Sequence, residues 1–106
     1  MATPTDKRLE LQAKLESILG SARVYYRPPE NIKLSYPCII YNLRTGDTLF
    51  ANNNPYRFTR CYDLTYIRKD ADSDLTDTIA KSFPYIRFDR SFTVENLYHD
   101  NFVLYY

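Results

Sequence analysis

Hydrophobic residues recur at helical spacing within the first twenty residues, and this spacing predicts a helix with one apolar side. The helix opens at Thr3-Pro4, because threonine is a good N-cap and proline suits the first helical position. It stops at Gly20, because glycine adopts the left-handed conformation of a helix cap without steric cost. An amphipathic helix this short needs a sheet to cover. Its apolar stripe consists of Leu11, Leu15, Ile18 and Leu19, flanked by Leu9.

Strand patterns follow this helix. Residues 23–26 form a short β-like run, and Pro28-Pro29 then start an extended connector or sheet edge that reaches Pro37, since proline donates no ladder hydrogen bond. Residues 38–43 (CIIYNL) are apolar at nearly every position, which predicts a strand covered on both faces. Residues 58–67 alternate instead and predict a strand with two different faces. One face carries Phe58, Tyr62, Leu64 and Tyr66, and the other carries Thr59, Cys61, Asp63 and Thr65.

A second helix and two more strands complete the chain. The helix is expected over about residues 75–81, with Leu75, Ile79 and Ala80 as its inner side and the carboxylates of residues 70–74 as its N-terminal cap. Strands are expected over residues 85–94 and 97–106, the last because so apolar a terminus is normally paired in a sheet. The order α-β-β-β-α-β-β predicts a single α+β domain over residues 1–106. Its mostly antiparallel sheet has two short helices packed on one face.

Residues 44–57 (RTGDTLFANNNPYR) form a polar stretch between two predicted strands. Turn signals stand at residues 45–47 and 52–55. The stretch is longer than an ordinary hairpin connection, and loops of this length are commonly functional.

Composition excludes several classes of site. Fourteen basic residues against thirteen acidic ones leave a net charge of +1, which gives no whole-domain attraction to nucleic acid or anionic lipid. Two distant glycines exclude the usual phosphate-cradling loops, and one histidine with two cysteines is too few for a four-ligand zinc site. No apolar run approaches the ~20 residues of a membrane span, and no secretory profile precedes the first helix. We therefore expect a soluble domain made inside the cell, with no metal, no cofactor and no membrane partner.

Candidate catalytic and metal-binding groups are few. Residues 70–74 (DADSD) imitate the start of a calcium loop, but leucine and lysine occupy the positions at which that loop has its glycine and its bidentate glutamate. His99 paired with Cys38 or Cys61 would be a base and a nucleophile, yet nothing in the local sequence supplies an orienting group or an oxyanion site. We therefore expect no enzymatic activity. The two cysteines are expected as free thiols, although a hairpin would bring them side by side.

The chain has eleven tyrosines, more than its core can bury, because a core this small cannot give every buried phenol a hydrogen-bond partner. Tyrosine and arginine are enriched in protein–protein interfaces, which favours assembly. Aromatic residues on a sheet also stack unpaired bases, although the near-zero net charge disfavours that interpretation. A monomer with a few half-exposed tyrosines is the third interpretation. The arginines available to a nucleic-acid surface are Arg57, Arg60, Arg68, Arg87 and Arg90.

From about Leu9 to Tyr106, the chain resembles the tail terminator proteins of long-tailed, siphovirus-type bacteriophages. The resemblance is carried by a succession of segments rather than by a catalytic signature: ILG, VYYRPPE, LSYPCIIYNL, NNPY, YDLTYIRKDADSD, FDR and FTVENLYHDNFVLYY. It implies an α+β protomer in a homo-hexameric ring that caps the tail tube at its head-proximal end. The ring would contact the tail tube protein and the head–tail connector or stopper protein, with DNA near its lumen. Its expected location is the virion tail or neck, after assembly in the host cytoplasm.

Within this resemblance, residues 44–57 are expected to be a contact arm for the tube or the next subunit, with Phe50 and Tyr56 as anchors. Further interface candidates lie near the base of the arm and at the C-terminal end. The complete set is Arg44, Asp47, Phe50, Asn53, Tyr56, Arg57, Arg60, Tyr62, Asp63, Tyr105 and Tyr106.

Three other functions stay open at this point. Neck and head-completion proteins share the size and fold of the terminators, so a different head–tail joining role is the alternative within the same class. A single-strand nucleic-acid-binding module is the alternative from another class, and a small hydrolase comes last.

Overall fold

The computed structural model describes residues 4–44 and 60–106. Within them, two helices and five strands form one α+β unit in the expected order. The five strands make a single sheet in the order β1-β2-β3-β5-β4, in which β1 and β2 are parallel and every other neighbouring pair is antiparallel. The elements are α1 (Pro4–Leu19), β1 (Val24–Tyr26), β2 (Cys38–Leu43), β3 (Cys61–Arg68), α2 (Leu75–Lys81), β4 (Ile86–Val94) and β5 (Leu97–Tyr105).

Helix α1 ends as its sequence predicts. Gly20 has a φ of +75°, and its N–H donates to the carbonyl of Glu16 at 2.8 Å, which closes the last turn in the left-handed conformation. Leu11 and Leu15 are fully buried against the sheet, whereas Leu9 lies on the exposed side. The expected cap, Thr3, lies outside the described residues.

Strand β3 has the two faces that its alternation predicts. Tyr62, Leu64 and Tyr66 pack under the helices, in one core with Leu11 and Leu15 of α1. Strand β2 is covered on one face and only partly on the other within the described part of the chain. The side facing the helices is buried, but on the opposite side only Cys38 is buried, while Ile40 is half-buried and Asn42 is exposed.

Helix α2 spans the expected residues but differs in two details. Ala80 is exposed rather than inward, because Ile79, four residues after Leu75, already occupies the side that faces the core. The side chain of Asp74, at the N-cap, makes no capping hydrogen bond. Instead, the hydroxyl of Ser73 accepts a hydrogen bond from the N–H of Leu75 at 3.2 Å, so a serine caps the helix in place of the expected carboxylates.

Several of the tyrosines lie in the core. Tyr41, Tyr62 and Tyr66 are buried, and Tyr26 packs beside them with its ring centroid 4.9 Å from that of Tyr41. The phenol of Tyr41 donates to Gln12 of α1 at 2.6 Å, and the phenol of Tyr66 lies 3.0 Å from the Ser73 hydroxyl. Burial raises the pKa of Tyr41 and of Tyr62 above the ordinary value of a phenol, because the phenolate is poorly solvated in the core. Part of the tyrosine excess therefore belongs to the core, where the hydroxyls of Tyr41 and Tyr66 have hydrogen-bond partners.

Candidate assembly surface

Both helices pack on one side of the sheet, so the other side forms what we call the open face: the side chains of the five strands that point away from α1 and α2. The middle row of this face crosses all five strands, from Tyr25 through Ile40, Thr65 and Asn101 to Arg90. The Thr65 hydroxyl donates to the side-chain oxygen of Asn101 at 2.7 Å. The row is half-exposed or exposed throughout, with aromatic, aliphatic and basic side chains around a hydrogen-bonded polar centre.

The next row of the open face places Cys38, Ile67, His99 and Phe92 side by side. The rings of Phe92 and His99 are stacked, with centroids 4.8 Å apart and planes 13° apart. Ile67 separates Cys38 from His99 by two strand spacings, about 10 Å. Burial raises the pKa of the Cys38 thiol to about 11, an effect that nearby Arg23 only partly offsets. The thiol is thus protonated and out of reach of the imidazole, and the two do not form a nucleophilic pair.

The two cysteines also lie apart from each other. Cys38 is opposite Ile67 at one end of β3, and Cys61 begins that strand six residues earlier. Six residues of strand span about 20 Å, while a disulfide needs Cα atoms within about 7 Å. Both thiols are free and buried, so the hairpin pairing considered from the sequence is wrong.

Strand β4 is the most exposed element of the sheet. It is an edge strand in which every residue after Ile86 is exposed, including Phe88 at 47% and Val94 at 48%. Asp89 forms a β-bulge, because Phe88 is paired with Phe102 and Arg90 with the adjacent Asn101. The bulge reverses the alternation, so that Phe88 points to the helix side while Phe92 and Val94 join the open face.

These β4 residues are absent from the sequence-based set of interface candidates. The alternation of aromatic and aliphatic residues with charged ones over residues 86–94 signals a strand, but it does not show that the strand lies at an edge. It also places Phe88 and Phe92 on one face, because a bulge leaves no trace in the spacing.

The interface candidates at residue 44 and residues 60–63 divide between the surface and the core. Arg44 and Asp63 come together on the open face, with Nε and Oδ1 3.8 Å apart and both side chains partly exposed. The backbones of Arg60 and Tyr106 exchange hydrogen bonds, which joins the start of β3 to the end of β5. Tyr62 lies in the core with 2% of its surface exposed, because its strand position faces the helices. It is therefore not part of the surface.

The two C-terminal tyrosines take opposite sides. Tyr105 is partly exposed on the open face. Tyr106 packs on the helix side, where its ring lies edge-on to Phe83 with centroids 6.0 Å apart. The remaining candidates lie outside the described residues: Asp47, Phe50, Asn53, Tyr56 and Arg57.

A buried carboxylate anchors α2 to the sheet. Asp100 is 2% exposed and accepts hydrogen bonds from Arg68, from the Thr76 hydroxyl at 2.7 Å and from the Ser91 hydroxyl at 2.9 Å. This group ties β3, β4, β5 and the first turn of α2 together. Arg68 is consequently held in an internal ion pair rather than on a surface that stacks bases. Arg87 and Arg90 remain exposed on β4.

Residues 4–44 and 60–106 contain no group of three or more histidine, cysteine, aspartate or glutamate side chains placed to hold a metal ion. In the same part of the chain, neither helix is long and apolar enough to cross a membrane.

Comparison with known proteins finds no matching family model, no matching curated protein and no matching solved structure.

Proposed function

We propose that this chain is a structural virion protein: a six-fold ring that caps the tail tube of a long-tailed bacteriophage and presents a surface to the head connector. The proposal starts from the sequence resemblance. The observation that carries it is the open face, a five-stranded surface on the side away from both helices. Its rim leaves Phe92, Val94 and Tyr105 exposed, although other side chains of the same face are buried: Cys38, Cys61, Ile67 and Val103. The protein would assemble in the host cytoplasm and remain in the tail or neck of the virion.

The open face supplies a favourable contact energy. Phe92, Val94 and Tyr105 each leave more than a third of their surface in water. Burying a large apolar side chain completely is worth about 1.5–3 kcal/mol, so covering these partly exposed groups gives a fraction of that for each. A ring contact is heterologous and uses two different patches on each copy, so the open face of one copy would pack against another surface of the next.

Native mass spectrometry tests the ring. The wild-type chain should give a species of roughly six times the 12.6 kDa chain mass, either alone or after mixing with purified tail tubes. Tyr105→Asp places a charge on the open face and should abolish that species. Ala13→Asp, the matched control on the exposed side of α1, should leave it intact. A wild-type chain that stays monomeric alone and binds no tube would end the proposal.

Electron microscopy of tubes mixed with the protein distinguishes a terminator from another neck protein. A terminator should add density at one tube end and stop further growth of the tube. Binding to purified head connectors without binding to tubes would support the neck or head-completion alternative.

A second candidate, single-strand nucleic-acid binding, is favoured by one observation. Arg90 lies over the Phe92 ring, 5.9 Å from its centroid, and Arg87 and Arg90 are both exposed on β4. Aromatic and arginine side chains on a sheet can stack bases and contact phosphate. Fluorescence anisotropy with a labelled oligonucleotide, repeated at increasing salt, would show a steep loss of affinity if this candidate were correct.

A further inference from the structure

The outer edge of β4 has a pattern of side chains that is complementary to itself. Among the described strands, β4 pairs only with β5, so its other edge presents unpaired backbone groups to solvent. Long exposed edges of this kind are normally protected by bulges and charges, because they pair readily with another strand. Here the bulge and the charges occur together, at residues 87–90, in the middle of the exposed strand.

We infer that this edge is a homophilic contact, through which β4 pairs antiparallel with β4 of a second copy about a two-fold axis between Asp89 and Arg90. Within one chain Asp89 Oδ2 lies 3.9 Å from Arg90 Nε, and both side chains are exposed. In the proposed register Asp89 also lies opposite Arg90 of the second copy, and the two-fold symmetry makes this cross-strand pair twice. Opposite charges in directly facing positions of an antiparallel pair are favourable.

The same register matches the remaining side chains by face. Arg87 lies opposite Phe92 of the second copy, both on the open face, and a guanidinium over an aromatic ring is attractive. Phe88 lies opposite Ser91, both on the helix side. Residues that lie opposite each other in this register point to the same face of the sheet, because the bulge at Asp89 reverses the alternation at the centre of the strand.

Neighbouring registers are less favourable. Sliding one copy by two residues in one direction places Arg87 opposite Arg90 of the second copy, and like charges in facing positions are destabilising. Sliding it in the other direction places Arg90 opposite Ser91 and removes both ion pairs. The charges that protect this edge from unrelated strands thus select one register for a second copy.

This contact goes beyond the proposed ring. An isologous contact closes after two copies, so it joins two chains, or two rings, rather than building a ring. A single strand pair buries a small area compared with a permanent interface, so we expect an association that reverses on dilution.

Charge reversal with rescue tests the contact, with sedimentation velocity over a concentration series as the measurement. The wild-type mass should double as concentration rises, from one chain to two or from one ring to two. Asp89→Arg should raise the dissociation constant of the doubled species by about tenfold, because two attractive charge pairs become repulsive. Adding Arg90→Asp in the same chain should restore it, because the copies exchange charges with each other. Asp72→Arg, an exposed aspartate away from β4, is the matched control and should change nothing.

Disulfide trapping tests the register. Asp89→Cys should form a linked dimer on mild oxidation, because its Cα lies about 6 Å from its copy across the axis. Val94→Cys lies far from the axis and should not. The inference fails if the double charge variant is not rescued, if the mass never doubles, or if Val94→Cys links as efficiently as Asp89→Cys. Loss of the ring in Tyr105→Asp with this doubling retained would separate the two proposals.

Discussion

The two faces of the sheet differ in how their aromatic side chains are used. On the helix side, Tyr41 and Phe102 are enclosed by α1 and α2, and the Tyr41 phenol has a partner on α1. On the open face, Phe92 and Tyr105 remain partly in water. The aromatic rings of the helix side are thus buried within the chain, whereas these two rings of the open face remain partly exposed to solvent. Aromatic content alone therefore does not identify an exposed surface, because the helices that cover the sheet decide which rings remain in contact with solvent.

The largest expected effect comes from the helix side. Leu64 is fully buried between Tyr41 and Phe102 on the neighbouring strands. Leu64→Ala removes buried methyl groups and leaves a cavity, so it should lower the free energy of unfolding by about 2–5 kcal/mol. Urea denaturation followed by circular dichroism measures this. A loss below about 1 kcal/mol would contradict the contrast between the faces.

The second-largest loss of stability should come from breaking the buried ion pair between Arg68 and Asp100. Asp100→Ala leaves the Arg68 guanidinium without its carboxylate and frees the Thr76 and Ser91 hydroxyls. Removing one partner of a buried pair costs about 3–5 kcal/mol, and the partial exposure of Arg68 places this case at or below the lower end. Hydrogen exchange should show α2 opening more readily than α1. Equal protection of α2 in the variant and the wild type would argue against its role as an anchor.

Ionisation of Cys38 at alkaline pH should lower the free energy of unfolding by less than either of these substitutions. The pKa of Cys38 is about 11 in the folded chain against 9.0 for an ordinary thiol, because burial disfavours the thiolate. A raised pKa contributes stability that is complete below pH 9 and lost as pH rises toward 11. The wild type should therefore lose stability over that range relative to Cys38→Ala, since the alanine variant has no thiol at this site to ionise. Parallel stability curves for the two proteins would contradict the assignment.

The smallest effect on stability should come from the open face. Val94→Ala removes a half-exposed side chain at the end of β4, so we expect a change in unfolding free energy within about 0.5 kcal/mol. The same urea titration that reports Leu64→Ala provides the comparison. A loss as large as that of Leu64→Ala would mean that the open face is already part of the folded core.

Much of the fold could be read from the sequence. The stripe over Leu11 and Leu15, the stop at Gly20 and the alternation around Leu64 are local patterns, and the structure confirms all three. The exposed surface was less predictable. Tyr62 has a residue type that is common in interfaces but lies in the core, whereas the exposure of Phe92 and Val94 follows from the position of β4 at the sheet edge.

The sequence by itself determined the helices, the strands and their order, because spacing, caps and turn residues act over a few neighbours. Tertiary structure alone decided that β1 runs parallel to β2, that β5 lies between β3 and β4, and that six residues of strand separate the cysteines. It also decided that the Asp89 bulge turns Phe92 to the open face. The reason is physical: pairing partners are chosen by burial across the whole sheet, and no local period records that choice.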